Sequence, residues 1–512
     1  MRRSTVLLIT LGIVANGCGA DAPTDPSVLI VVDTNLPAPM AITQVRFDVY
    51  SDEGTWFDAR TVDVGTTGAW PLTFRVAGKA AETTSLVVRA RAYLAENTRP
   101  YTGHRFQEWP DNVTTTASGN DQPRLIQDGV DITPTVEPLP SLTVDRLVRV
   151  SIGPGDQGRV SLFMDGLCVG RMAELGPKWT SCHSESEPRI KEEVATIEAD
   201  TTPIAPSHVG MIGQTPCPPA RDRAPCIVGG AFVFGPDGSI AASTTGLIKP
   251  LKRPSALEVD GDANMARLAV VPSFRMSETE ITVRQMRKAL GEGLVLEDTL
   301  ESGSIGIKRD DIGLESERDC TFTTEPGSYE GFAVSCVSWE SARAYCNHDG
   351  GDLPTEAEWE YAASASGRDE KTIYPWGNDE PKCDGAVFAR KKSPLSSGFW
   401  CGEGDGVGPL SVATTSADGK ALATRDTTPV GILHLGGNLA EWTRDAALSW
   451  LDACWLSSLT AAVSCAPEKD ARVSARGGSW ASSSAAFLRS DRRQFDWQRT
   501  RSTRIGFRCV YR

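Results

Sequence analysis

Leu353-Pro354-Thr355-Glu356-Ala357-Glu358-Trp359-Glu360-Tyr361-Ala362-Ala363 reads as a helix with its start written out. Thr355 can accept an orphan amide hydrogen of the first turn, and Glu358 three residues later completes a capping box. Trp359 and Ala363 then share one side. Upstream, Ser338 can cap a helix carrying Trp339, Ala342, Tyr345 and Cys346 on one side. Further upstream, Thr282 and Gln285 form another capping box, Ile281 and Met286 sit at hydrophobic-staple spacing, and a helix from Val283 to Leu290 is predicted. From Ala266 onward, tryptophans, short capped helices and glycine-rich loops dominate, with no internal repeat and no coiled-coil pattern.

The first half has a different period. Val45, Phe47 and Val49 alternate with Gln44, Arg46 and Asp48, as do Val88, Ala90 and Ala92 with Arg89, Arg91 and Tyr93. Residues 27–140 therefore read as an all-β, sandwich-like domain. A smaller β module is expected over 141–262. There Val148, Val150 and Ile152 lead through Gly153-Pro154-Gly155-Asp156 into Val160, Leu162 and Met164, a hairpin signal. Cys168 with Cys182, and Cys217 with Cys226, are close enough to be local staples. The last domain, 266–512, completes a multidomain chain.

A formal net charge of −14 over 512 residues, with no clustered basic footprint, argues against nucleic acid. Residues 1–18 have a basic start, a short apolar run and small residues, the layout of a secretory signal. The ending Ala15-Asn16-Gly17-Cys18 resembles a bacterial lipobox, in which Cys18 is lipidated and becomes the new N-terminus. Residues 19–26 would be a tether, and Gly19 implies the outer membrane, facing the periplasm or the cell surface. Thirteen cysteines in an exported chain point to disulfides, and setting Cys18 aside leaves an even number for pairing. Zinc is the weaker reading, because no C-x-x-C pair occurs.

The motifs of the last domain occur in a recognisable order. Phe274-Arg275-Met276-Ser277-Glu278-Thr279-Glu280-Ile281-Thr282 and Val337-Ser338-Trp339 through Cys346 come first. Leu353 to Ala363, Tyr374-Pro375-Trp376-Gly377-Asn378, and Gly436-Gly437-Asn438-Leu439-Ala440-Glu441-Trp442 follow. Arg476-Gly477-Gly478-Ser479-Trp480 and Gly506-Phe507-Arg508-Cys509 close the series. Together they resemble the formylglycine-generating, sulfatase-modifying factor family. The resemblance implies an α+β, C-type-lectin-like fold, low in regular secondary structure, with Cys346 bridged to Cys509. Pairs Cys320 with Cys336, Cys383 with Cys401 and Cys454 with Cys465 would account for the remaining cysteines.

By the same resemblance, the family's oxidase converts a cysteine in a Cys-x-Pro-x-Arg peptide to formylglycine with copper(I) held by two thiolates. Those cysteines lie three and eight residues beyond the serine of Arg-Gly-Gly-Ser. Here the positions fall on Ser482 and Phe487. A hydroxyl is a hard, poor copper(I) ligand and a phenyl ring offers no donor, so copper is not expected and no catalytic residue is assigned. The iron-dependent relatives of the fold need clustered histidines, whereas His104, His183, His208, His348 and His434 are scattered. A structural calcium ion is implied instead, held by the carbonyls of Gly437 and Leu439 and the carboxylate of Glu441. The family's further asparagine ligand falls on His434. The run from Gly402 to Gly408 reads as a solvated loop, with ion binding as the alternative.

Trp339, Trp359, Trp376, Trp442 and Trp480 sit within fold motifs and read as core. Trp400, Trp450, Trp455 and Trp497 lie in divergent segments and are candidate surface residues. Arg489, Arg492 and Arg493, with Trp497, form a candidate binding patch for an acidic partner; the alternative is pairing with nearby carboxylates such as Asp491 and Asp496. The leading expectation is a non-catalytic, envelope-anchored lipoprotein that binds a peptide, protein or glycan. The alternatives are the copper-dependent formylglycine-generating oxidase and an enzyme of altered chemistry in the same cleft.

Overall fold

The computed structural model describes residues 26–101, 124–175, 179–184, 194–199, 203–235, 266–296, 320–323, 325–390, 401, 408–413, 426–449, 452, 454–455 and 464–512, with the backbone of 190–191. The expected signal, Cys18, nearly all of the tether, the 402–407 loop, Trp400 and Trp450 lie outside them. The chain is mostly β, in several sheets with few helices. It divides into two compact units, Met1–Ile212 and Gly213–Arg512.

In the first unit, a three-stranded sheet has the order Gln157–Met164, Ser27–Thr34, Leu72–Ala77. A four-stranded sheet has the order Val144–Ile152, Thr84–Tyr93, Gln44–Ser51, Trp56–Asp63. The apolar set of each alternating strand turns inward, and Phe47 of one sheet meets Phe74 of the other with ring centroids 4.5 Å apart. The polar set of the central strand is buried as well. Arg89 and Arg91 are fully enclosed, so each must carry its counter-ion with it. Arg89 donates to both oxygens of Asp145 at 2.8 and 2.5 Å, and Arg91 donates to Asp48 at 2.5 Å.

This topology corrects the expected boundary at 140/141. Val144–Ile152 pairs with Thr84–Tyr93, and Gln157–Met164 runs parallel to Ser27–Thr34. The turn at 153–156 therefore joins two strands that hydrogen-bond to different sheets, and the hairpin signal marks an arch. The other end of the expected module belongs to the second unit. There Cys226–Ile227 pairs with Phe274–Met276, and Gly230–Phe234 pairs with Arg267–Val271.

Three described helices of the second unit carry the caps read from the sequence. Val283–Gly291 (α1) and Glu356–Ser364 (α3) each have a complete capping box, on Thr282 with Gln285 and on Thr355 with Glu358. Ser338 caps Trp339–His348 (α2) through the amide of Ser341. A four-stranded sheet follows, ordered Arg493–Trp497, Arg472–Arg476, Ala440–Ala446, Ile505–Gly506. The core joins α1 and α2 to this sheet through Met286, Trp339, Trp442 and Phe507. Indole hydrogens find backbone carbonyls, Trp339 on Thr443 at 2.7 Å and Trp442 on Val337 at 3.0 Å. Six disulfides join Cys168–Cys182, Cys217–Cys226, Cys320–Cys336, Cys346–Cys509, Cys383–Cys401 and Cys454–Cys465.

Candidate functional site

Arg476-Gly477-Gly478-Ser479 leaves the sheet in a turn that crosses the loop 433–438. Gly477 has φ +78°, and a Cβ there would lie 2.5 Å from the carbonyl of Leu435, so both conformation and space require glycine. The two segments then zip together: Gly478 N–H donates to Gly436 O, and Trp480 N–H to Asn438 O at 2.8 Å. The hydroxyl of Ser482 closes the turn, accepting from Ser479 N–H at 2.9 Å. Its carbonyl accepts from Ala389 N–H at 2.9 Å. Phe487 packs against Ile373, Tyr374, Phe388 and Leu488, with the Arg492 guanidinium 4.7 Å from its ring centroid. The Cys383–Cys401 disulfide joins the same cluster.

Behind this turn lies a buried polar cluster. Arg508 is fully enclosed and uses all five N–H donors. Nε and Nη2 hold the two oxygens of Glu441 at 2.7 Å each, Nη1 donates to the carbonyls of Ser277 and Glu278, and Nη2 also donates to Leu433 O. Trp359 Nε1–H donates to Glu441 at 2.8 Å. Asn438 holds Glu280 through its amide hydrogens, Asp426 accepts from Gly436 and Gly437, and His434 reaches Val412 O at 3.0 Å. His434 and Asn438 both adopt left-handed backbone, at φ 60° and 67°, which keeps the loop turned toward this cluster.

The FGE-sulfatase family, described as the sulfatase-modifying factor enzyme 1-like domain, matches residues 222–512. The chain belongs to this family.

Among curated relatives, the formylglycine-generating enzyme of Bos taurus is 39% identical over 114 residues, 21% of this chain and 26% of its own length. The inactive C-alpha-formylglycine-generating enzyme 2 of Bos taurus is 32% identical over 193 residues, 35% of this chain and 50% of its own length. The chain thus spans between a quarter and a half of these relatives. Among solved structures, PvdO from Pseudomonas aeruginosa aligns with a TM-score of 0.35 and 18% identity, covering 56% of this chain and 92% of that one. CarF aligns at 0.32 and 14%, covering 56% and 97%.

Within this sulfatase-modifying factor domain, Ser482 and Phe487 stand in one turn, with the hydroxyl committed to the backbone and the ring to packing. The cavities of about 400 and 530 Å³ in the same unit are lined by neither residue. The calcium role expected of Glu441 does not fit its surroundings. Both carboxylate oxygens already face a guanidinium, and a divalent ion would have to displace three donated hydrogen bonds, two from Arg508 and one from the Trp359 indole, and a full positive charge. Gly437 and Leu439 frame Asn438 in the same loop, where the amides of Gly436 and Gly437 are held by Asp426.

The expected arginine patch is taken apart by the structure. Arg489 is paired with Asp491 at 2.9 and 2.6 Å, and Arg493 turns inward to grip both oxygens of Glu356 at 2.7 Å. Arg476 reaches Glu356 and Glu360 from the other side. The cause lies in α3, all nine residues of which are buried. Its glutamates need cations brought to them, and the nearby strands provide these. Trp497 remains outside, 57% exposed, whereas Trp455, expected at the surface, is completely buried. No motif singled out Arg508, Glu280 and Asp426 as a cluster; the available signals were Glu280 and Arg508 inside the first and last family motifs.

Burial raises three carboxyls. Asp445, which accepts from the amides of Glu356 and Cys465 at 2.5 and 2.6 Å, is pushed up to about 7, first by desolvation and then by Glu356. Asp426 is pushed up to about 6. Desolvation, then the neighbouring Glu441 charge, holds Glu280 well above the usual carboxylate range. Desolvation lowers His434. A carboxyl that keeps its proton when folded and loses it when unfolded contributes stability that fades as pH rises through its folded value. The His434 shift acts in the opposite sense, below its ordinary value of 6.5. From pH 6.5 to 8 the carboxyl effect should therefore show unopposed, with Tm falling as pH rises. Asp445→Asn should flatten that slope; an unchanged slope in thermal melts would count against it.

Proposed function

We propose that this chain is an exported, envelope-anchored lipoprotein whose sulfatase-modifying factor domain has given up copper chemistry and binds a peptide, protein or glycan. The observation that carries the reading is the turn at 479–487. Its two decisive positions hold a serine locked into its own turn and a phenylalanine packed under an arginine. The described cysteines are joined in six disulfides, so a copper(I) site would first need a reduced pair. A relative named an inactive C-alpha-formylglycine-generating enzyme supports the same direction. The lectin-like reading of the fold is consistent with short helices around a twisted sheet and with a long-range disulfide near the end of the chain. The lipid at Cys18 and an outer-membrane address rest on the lipobox-like sequence.

The test incubates the purified chain with copper(I), oxygen and a Cys-x-Pro-x-Arg peptide beside an active formylglycine-generating enzyme. The peptide's mass is followed for conversion of thiol to aldehyde. The chain is expected to give no conversion above a no-protein control. Conversion would restore the oxidase reading and require thiolates from one of the disulfides.

A further inference from the structure

A cavity of about 530 Å³ opens on the second unit, within the range of small-ligand sites. One wall is made by Pro216, Pro218 and Pro219, and Pro272 also lines it. The proline arm is pinned at three points. The Cys217–Cys226 disulfide ties it to a strand, Arg275 Nε donates to Pro218 O at 2.9 Å, and Ser273 N–H donates to Thr215 Oγ1 at 3.0 Å. A wall fixed in this way loses little freedom when a ligand arrives. Residues 215–219 precede the 222–512 stretch matched to the family.

The charged residues lining the cavity are Glu358, Arg444 and Arg512. Glu358 is fully occupied: Arg512 holds both oxygens at 2.7 Å, and Thr355 N–H donates at 2.8 Å. Arg444 is different. Its guanidinium makes one long contact among the described residues, 3.5 Å from Nη1 to Asp352, whose shorter bond, 3.0 Å, comes from Arg343. A planar fork of donors therefore stands at an apolar cavity with little to hold. Two arginines against one glutamate leave the lining net positive on a chain whose formal charge is −14.

We infer that this cavity binds the carboxylate of a ligand with an apolar body, with Arg444 as the anchor and the proline wall as the apolar surface. Guanidinium and carboxylate match as two parallel hydrogen bonds, which an amide cannot reproduce. The inference deepens the binding role proposed above and rests on it. The two fail separately, because absence of carboxylate binding leaves the outcome of the copper assay unchanged.

The full-length chain is titrated by calorimetry with octanoate, with acetyl-Ala-Pro-Leu bearing a free carboxylate, and with the same peptide as its amide. Saturable binding of octanoate, of the peptide acid or of both is expected, with the amide at least tenfold weaker than its acid. Binding by octanoate alone would identify a free apolar acid as the source of the carboxylate, and binding by the peptide alone would identify a chain terminus. Arg444→Gln should weaken the bound acid at least tenfold, and Arg444→Lys should recover part of the loss. Pro219→Glu, at an exposed position, places a negative charge on the wall without altering Arg444 and should abolish binding. The proposal is overturned if neither acid binds, if the amide binds as well as the acid, or if a folded Arg444→Gln variant binds like the parent.

Discussion

Replacing Cys346 and Cys509 together by alanine should produce the largest loss of stability of any change to the second unit. The bridge spans 163 residues, and in the chain-entropy account closing so long a loop removes about 5 kcal/mol of freedom from the unfolded state. Both sulfurs are fully buried beside Tyr345 and Phe507, so truncation also leaves a small void. In a unit of this size such a loss corresponds to a fall in Tm of roughly 10–20 °C. The local pair Cys454–Cys465, separated by 11 residues, serves as the comparison and should cost less. Thermal or urea unfolding of the two double variants decides the matter; equal losses would mean that loop length does not govern them.

Arg508→Met should be nearly as damaging, for an electrostatic reason. Removing the guanidinium leaves Glu441 charged, fully buried and beside Glu280, with the indole of Trp359 as its remaining donor. Breaking a buried pair from one side costs about 3–5 kcal/mol, because desolvation of the remaining charge is no longer offset. The backbone carbonyls of Ser277 and Leu433 lose the Arg508 donor in the same step, while that of Glu278 keeps the Leu433 amide at 2.8 Å. Adding Glu441→Gln should recover part of the loss, since the residual charge is what hurts. Urea unfolding of the two singles and the double gives the coupling directly. A double variant no more stable than Arg508→Met would show that the carbonyls, and not the carboxylate, carry the effect.

Adding calcium should leave Glu441 undisturbed in the parent chain, because the arginine already occupies its carboxylate. The expectation of calcium there came from a loop motif, and a loop motif reports which residues are near in sequence. It is silent on a guanidinium brought in from residue 508, 67 positions away. The same limit explains the arginine segment. Read along the chain, Arg489, Arg492 and Arg493 look like a basic face; in space, two of them are counter-ions to carboxylates at 491 and 356.

Much was written in local sequence. Each of the three described helices announces its first turn through a hydroxyl cap, because a cap satisfies backbone donors three residues away and needs nothing from elsewhere. The β period of the first half is equally local. Ser482 and Phe487 could be located by counting from Ser479, and their chemistry follows from side-chain type. What the sequence left open is which strand meets which sheet and what each buried charge faces. The arch at 153–156 looks like a hairpin because turn residues are alike in both, and only pairing with Thr84–Tyr93 and Ser27–Thr34 separates them. Likewise nothing in the local sequence pairs the glutamates of α3 with Arg476, Arg493 and Lys371, which close over them in the fold. Caps, periods and ligand types are properties of a few neighbouring residues; sheet order and buried ion pairs depend on contacts distant in sequence, and these exist only once the chain has folded.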